Sequence, residues 1–462
     1  MSVGRFLQQA AAGAGGSAPI SQFYDVVSGG NITEIIGTAT SSDGNVAFCG
    51  HAGGNSGIVG LIDADGEKAW EVKLAAQVCY LYAVTFTADG NVVAVGTLQA
   101  TGVVSVSQMF VTCHDASDGS VLWQNVYYNN TTYNSYARDI ILDEDDNLLV
   151  PCGYGWASSN RRRAVLLSID PSDGSLIGSE QRGLRISTKS MEFTGIWKND
   201  DGSYYLSGVG QVVNTSNYAF RAELSSLSAS EIDSTTYYIQ ETSNSNYNDT
   251  PPKIVRTSDG TNFLTYSSGR IASITDDWST LNAAKSVRYS SATSYISNMK
   301  ITSDDKILLS FRVVGKSPDW AGLTLIDQSV NKTLLGNDID WNGHIQHNSS
   351  SNADFYGCAV DSQSENFVVV GVLDRTGASG GPLGLVLTQS LENGGGYTSG
   401  KSLNNATGFT YYNDTQTTTM NSASQTISSA SVSVLNFNPT TVDASSGITV
   451  TTNPNTHNIN TW

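Results

Sequence analysis

Apolar and polar positions along the chain alternate with a period of two, in short runs. No long stretch keeps the 3.6-residue period of an amphipathic helix. The runs are punctuated by a recurring polar turn followed by an apolar stretch: SSDGNVAFCG (41–50), TADGNVVAVG (87–96), DEDDNLLVPCG (143–153), NDDGSYYLSG (199–208), TSDGTNFLTY (257–266), TSDDKILLSF (302–311) and SQSENFVVVG (362–371). With Gly44, Gly90, Asp146, Gly202, Gly260, Asp305 and Glu365 as markers, the spacings are 46, 56, 56, 58, 45 and 60 residues. A period near fifty residues is the signature of propeller repeats.

A second turn follows in several repeats, as in GIVGLIDADGEKAWEV (57–72), MFVTCHDASDGSVLWQNV (109–126) and AVLLSIDPSDGSLIGSE (164–180). Asp-Gly between alternating apolar residues predicts a hairpin with a two-residue turn, because both residues tolerate positive φ. Two hairpins per repeat make four strands. Seven repeats predict an all-β, seven-bladed β-propeller over residues 21–396. Antiparallel order places the short, uniform turns at one end of every blade. The connections at the other end vary in length and composition, among them GYGWASSNRRR (153–163) and YYNNTTYNSY (127–136). Variable loops on a rigid scaffold make that end the expected binding face.

The two ends of the chain depart from the repeat. Residues 1–20 are rich in Gly, Ala and Gln and carry no blade pattern, so they read as an extended docking arm. SQFYDVV (21–27) reads as a strand able to close the last blade from outside. From 397 to 462 Thr, Ser and Asn dominate, with brief alternation at Ser431–Phe437 and Ile448–Thr451. Such a β-rich tail buries little alone and is expected to pack on the ring or on another chain.

Composition narrows the function. Charged residues are only 14%, against about 25% in an average chain, and the net charge is −18. An acidic chain is poorly suited to nucleic acid or to an anionic membrane surface. There is no 18-residue apolar run and no secretory h-region at the N-terminus. Five Cys with no CxxC predict neither a disulfide scaffold nor a zinc site.

Two resemblances add to this. LIDADGEKAW and CHDASDGSVLW resemble the repeat of quinoprotein-like propellers, in which an Asp-turn-Gly motif precedes a Trp on the outer strand; here these are Trp70 and Trp123, with Ile177 in the third copy. The resemblance covers about three of the seven repeats and implies fold rather than chemistry. The opening MSVGRFLQQAAAGAGG resembles that of virion structural proteins of marine tailed bacteriophages, the cyanophages among them. It covers some 16 residues. It implies a tail, fibre or capsid-surface component located in the virion and multimeric in the particle. Arg5, Phe6 and Leu7 would dock it on other virion proteins.

Candidate chemistry is sparse. The vicinal Cys pair of quinone-binding relatives is missing, so no cofactor is expected. Arg161, Arg162 and Arg163 are contiguous, so they cannot all converge on one carboxylate as a sialidase triad would require. Asp143, Asp145 and Asn147 offer alternating oxygens, but read as a turn, as do Asp63, Asp65 and Gly66. His344 and His347 form an HxxH expected in a loop, without a visible third ligand. No catalytic residue and no metal site is therefore assigned. Exposed aromatics and cations in variable loops suit contacts with a sugar or a protein, which makes Tyr154, Trp156, Arg161, Arg162 and Arg163 the expected binding residues. The expected function is non-enzymatic: assembly, or recognition of a host-surface glycan or receptor. A propeller enzyme (glycan hydrolase or quinoprotein-like oxidoreductase) and a cell-surface adhesin are the alternatives.

Overall fold

The computed structural model describes 22–26 and most of 34–461; outside the described residues lie 1–21, 27–33, 129–131, 156–161, 186–189, 211–217, 225–234, 241–250, 315–319, 327–338, 348–352, 361–365, 374–382, 391–400, 404–408, 414–417, 423–425, 453–458 and some shorter breaks. The chain is all-β. Its single described helical element is a 3-10 turn, Ser445–Gly447. Among the described residues every strand pairing is antiparallel, and the strands run as successive meanders: 34–75, 78–128, 136–185, 191–240, 254–289, 292–347 and 353–390, the last completed by Gln22–Val26. First strands pack on first strands round a closed circuit: Glu34–Thr40 touches both Val78–Phe86 and Ala353–Val360. The arrangement is propeller-like.

The meanders form six hydrogen-bonded sheets, one fewer than the seven expected. One sheet has eleven strands. In it Leu281–Tyr289 and Ala292–Ile301 meet in a short hairpin, with Arg288 opposite Thr293 and Tyr289 opposite Ala292, so two meanders share one ladder.

Second strands such as Val46–Ala52 and Leu148–Gly155 are buried almost throughout, because each sheet is covered on both faces by its neighbours. The cores accordingly lie between sheets. Ala47, Val59 and Leu61 mix with Leu81, Val92 and Phe110; Val93, Val95 and Met109 mix with Val150, Cys152 and Val165. All five cysteines are buried and free, and burial raises their thiol pKa values well above the ordinary range.

The second turns, expected with two loop residues, have four where Asp115 N bonds Ser120 O and Asp170 N bonds Ser175 O, and the first turns form with three. In each, the residue before the loop bonds across it, as Ser41 N to Asn45 O (2.9 Å) and Thr87 N to Asn91 O (2.8 Å). The third loop residue has positive φ at Gly44, Gly90, Asp146, Gly202, Gly260 and Asp305, which is the type I turn with a bulge. Glu365 lies outside the described residues. Asp143 accepts from Asp145 N and Asn147 N, both at 2.8 Å, so its carboxylate is spent on the turn.

The second turn docks one meander on the next. The Trp70 indole donates to Ala116 O (2.9 Å) and that of Trp123 to Pro171 O (2.8 Å), each in the following repeat's turn. A Cβ on Gly119, whose φ is +75°, would sit 2.6 Å from the Trp70 ring. Beneath Trp70 lies His114, fully buried, its ring stacked at 5.9 Å. His114 Nδ1 is 3.0 Å from Gly119 O, which only accepts, so Nδ1 carries the proton and Nε2 accepts from the Thr112 hydroxyl at 3.0 Å.

The tail wraps the ring. Phe409–Asn413 pairs with Ile339–His347, Thr418–Ser422 with Leu281–Tyr289, Thr426–Ser431 with Thr235–Gln240, Ser433–Phe437 with Gln181–Arg185, Thr440–Asp443 with Val121–Tyr128, Thr449–Thr452 with Lys68–Ala75 and Ile459–Thr461 with Gln22–Val26. The tail thus visits the meanders in reverse order and adds an outer strand to each.

Two outcomes follow. A chain ending at residue 396 bares an outer edge on every meander; it is expected to melt several degrees lower and to self-associate in size-exclusion chromatography, and a monomer of unchanged melting temperature would contradict the belt. Burial lowers the His114 pKa from 6.5 to about 4. The neutral ring is thus the folded form, and its contribution is complete above pH 6.5 and lost as pH falls toward 4. The loss is about 3 kcal/mol. His114→Gln should flatten the fall of melting temperature across that window.

Candidate functional site

The first strands line the axial channel, and most carry a bulge at one level. The ladder skips Ile36, Tyr82, Thr194, Ser297 and Tyr356, where the register shifts between Ile35 and Gly37, Leu81 and Ala83, Phe193 and Gly195, Ile296 and Asn298, and Phe355 and Gly357. In the third meander the first strand breaks between Tyr136–Ala137 and Ile141–Leu142, which places Arg138 at the same level. A bulge re-aims one residue out of the sheet, and here Ile36, Tyr82, Arg138, Ser297 and Tyr356 line a cavity of about 300 Å³ with Glu34, Pro251, Lys253, Asn298 and Arg312. A second cavity of about 220 Å³ shares Tyr82, Lys253 and Asn298 with it and adds Asp139 and Lys300. Four cations thus line the two cavities against two carboxylates, on a chain of net charge −18.

Lys253 Nζ reaches Asp139 Oδ2 and Thr194 O, both at 3.0 Å, and ties the third and fifth meanders together past the fourth. Thr194 Oγ1 donates to Pro252 O at 2.7 Å, and the Ser297 hydroxyl donates to Phe355 O. The bulges therefore also bind neighbouring meanders.

Beside the cavity the guanidinium of Arg138 lies 4.8 Å over the Tyr82 ring, 5.1 Å over Tyr136 and 4.0 Å from Glu192 Oε1. Its Nε is buried with no hydrogen-bond partner in the protein. Glu192 is held instead by Arg162, whose guanidinium covers Tyr136 at 4.7 Å. Burial raises the pKa of Tyr82, partly opposed by Arg138, so its hydroxyl is a donor at neutral pH. On the other side of the mouth, His51 Nε2 lies 3.6 Å from Glu34 Oε2, and burial lowers the His51 pKa. Among the described residues no three His, Cys, Asp or Glu side chains converge as a metal site would need.

The expected binding residues fare unevenly. Tyr154 is not exposed: it is fully buried in the core between the second and third meanders, because Gly155 prolongs its strand inward from the loop. Arg162 and Arg163 lie on the strand Arg162–Ile169, opposite Gly155 and Tyr154, and not in a loop. Strand alternation sends them to opposite faces, and Arg162 reaches Glu192 and the Tyr136 ring beside the cavity. Trp156, Arg161, Arg5, Phe6 and Leu7 lie outside the described residues. His344 and His347 stand on the strand Ile339–His347 rather than in a loop.

Arg138, Lys253, Arg312 and Tyr82 were missed from sequence, although a signal exists for Tyr82 and Arg138. Ile36, Tyr82, Arg138, Thr194, Pro252 and Ser297 each stand eight residues before their turn marker, and Tyr356 nine before Glu365.

Breaking the central ion pair is expected to be costly. The two side chains are 14% and 18% exposed, so Lys253→Met leaves Asp139 poorly compensated and should destabilise by about 2 kcal/mol, below the 3–5 of a fully buried pair. Lys253→Met with Asp139→Asn should recover part of that loss in denaturant unfolding.

No family model matches the chain, and no curated protein does. Among solved structures it is similar to BamB from Moraxella catarrhalis, at 11% identity over 76% of this chain and 85% of that one, with a TM-score of 0.39. It is also similar to a protein of unknown function from Dyadobacter fermentans DSM 18053, at 10% identity over 80% and 98%, with a TM-score of 0.38.

Proposed function

We propose that the chain is a non-enzymatic structural component of a tailed-phage virion, a tail, fibre or capsid-surface module. Its variable-loop face meets a neighbouring virion protein or a ligand on the host surface. The observation that carries the non-enzymatic part is the state of the channel carboxylates. Asp139 is engaged by Lys253 at 3.0 Å and serves as a fixed counter-charge, which leaves Glu34 as the one other carboxylate in the described lining of the two cavities and no carboxyl pair. An acid–base pair for hydrolysis needs carboxyls open to the substrate. A cation-lined mouth framed by variable loops is suited to holding a ligand.

The virion assignment is supported by the resemblance of residues 1–16. In this reading the arm, with Arg5, Phe6 and Leu7, docks on other virion proteins, and the loop bearing Trp156 and Arg161 borders the binding face. The module is multimeric in the particle.

The test is incorporation. An antibody against the ring should label purified particles. Deleting residues 1–20 should abolish labelling while the free protein keeps its melting temperature. Unlabelled particles would refute the virion role, and equal incorporation of the shortened chain would refute docking by the arm.

A further inference from the structure

We propose that the channel mouth is a binding site for a single acidic sugar residue, a hexuronate, whose carboxylate is taken by Arg138 and Arg312. This rests on the reading of that face as a recognition surface, and names its ligand class. The cavity of about 300 Å³ stands at the lower end of small-molecule sites, which is room for one sugar rather than a chain. Its lining combines what a charged sugar needs. Arg138, Lys253 and Arg312 supply positive charge against the single carboxylate of Glu34.

Of the three, Lys253 is already tied to Asp139 and Thr194. Arg138 is held chiefly by two aromatic faces and stands at 4.0 Å from Glu192, which Arg162 engages more closely. Guanidinium groups suit planar carboxylates because two parallel N–H donors match two oxygens. Ser297 and Asn298 add hydroxyl and amide groups at the same wall for sugar hydroxyls, and Tyr82 and Tyr356 add aromatic surface. The bulges that expose Tyr82, Ser297 and Tyr356 occur at one level of the ring, so the site is built by the backbone rather than by one mobile loop.

The experiment uses the full chain with methyl glucuronide, methyl glucoside and inorganic sulfate as probes, read by saturation-transfer NMR and titration calorimetry. The glucuronide should bind saturably and the glucoside at least about tenfold more weakly, a difference of about 1.4 kcal/mol. Arg138→Gln and Arg312→Gln should each weaken glucuronide binding by a similar factor without lowering the melting temperature, and Arg138→Lys should retain part of it. If Arg138→Gln unfolds the ring, Arg312→Gln decides the matter. Equal binding of glucoside, undiminished binding by both variants, or no saturable binding would overturn the proposal. Sulfate held as tightly as the glucuronide would overturn the sugar assignment in favour of a general anion site. Particle labelling does not depend on these titrations, so failure here with labelled particles removes only the ligand class.

Discussion

A ring of small sheets creates a hydrogen-bonding problem that the rest of this structure answers. Inner strands are covered by their neighbours, but each outer strand presents a row of unpaired N–H and C=O groups to solvent. Such edges template pairing with other chains. The tail meets them with a succession of short strands, from Phe409–Asn413 to Ile459–Thr461. Its composition follows from that task. A strand added at a rim needs extended backbone and little apolar surface, which Thr and Ser supply. The 3-10 turn at Ser445–Gly447 marks a step of the belt between meanders: Ala444 N bonds Gln124 O at 2.9 Å, and Asp443 caps Ser445 N at 2.8 Å.

The belt also explains where the chain ends meet. Gln22–Val26 lies between Leu383–Ser390 on one side and Ile459–Thr461 on the other, with Tyr24 opposite both Val386 and Ile459. Both ends of the chain thus lock the same sheet.

Much of this was legible in the sequence, for a physical reason. Turns need positive φ, and the residues that supply it at low cost are few, so Gly44, Gly90, Asp146, Gly202, Gly260 and Asp305 stand out against any surface. The Trp-turn contacts were legible for the same reason, since an indole packs where Gly119 leaves room. Loop length was less so. GVVSVSQ looks like a loop by variability, yet β-branched residues carry the strand Val104–His114 well into it and leave a tight turn at 101–103. Pairing between distant segments is not a local property, and neither the belt partners nor the merging of two meanders at Tyr289 and Ala292 has a local signature. The site was hidden for a third reason. A bulge residue carries no mark beyond its spacing from the turn, and Arg138 and Lys253 become neighbours of one cavity only when the ring closes.

The charge distribution then constrains how such a mouth can work. The chain carries −18 overall, whereas the two cavities are lined by four cations and two carboxylates. An anion approaching from afar meets net repulsion, and at physiological ionic strength charges separated by more than about 8 Å are largely screened. Long-range steering therefore gives the site little, and attraction begins close to the mouth. A site of that kind gains most from ligands already held at high local concentration. Repeated acidic groups on a surface would satisfy that condition if several copies of the ring met them together, because the second contact becomes intramolecular and needs little intrinsic affinity. An acidic body around cation-lined cavities thus exerts little pull on a free anion at a distance, and any attraction acts within a few ångströms of the lining.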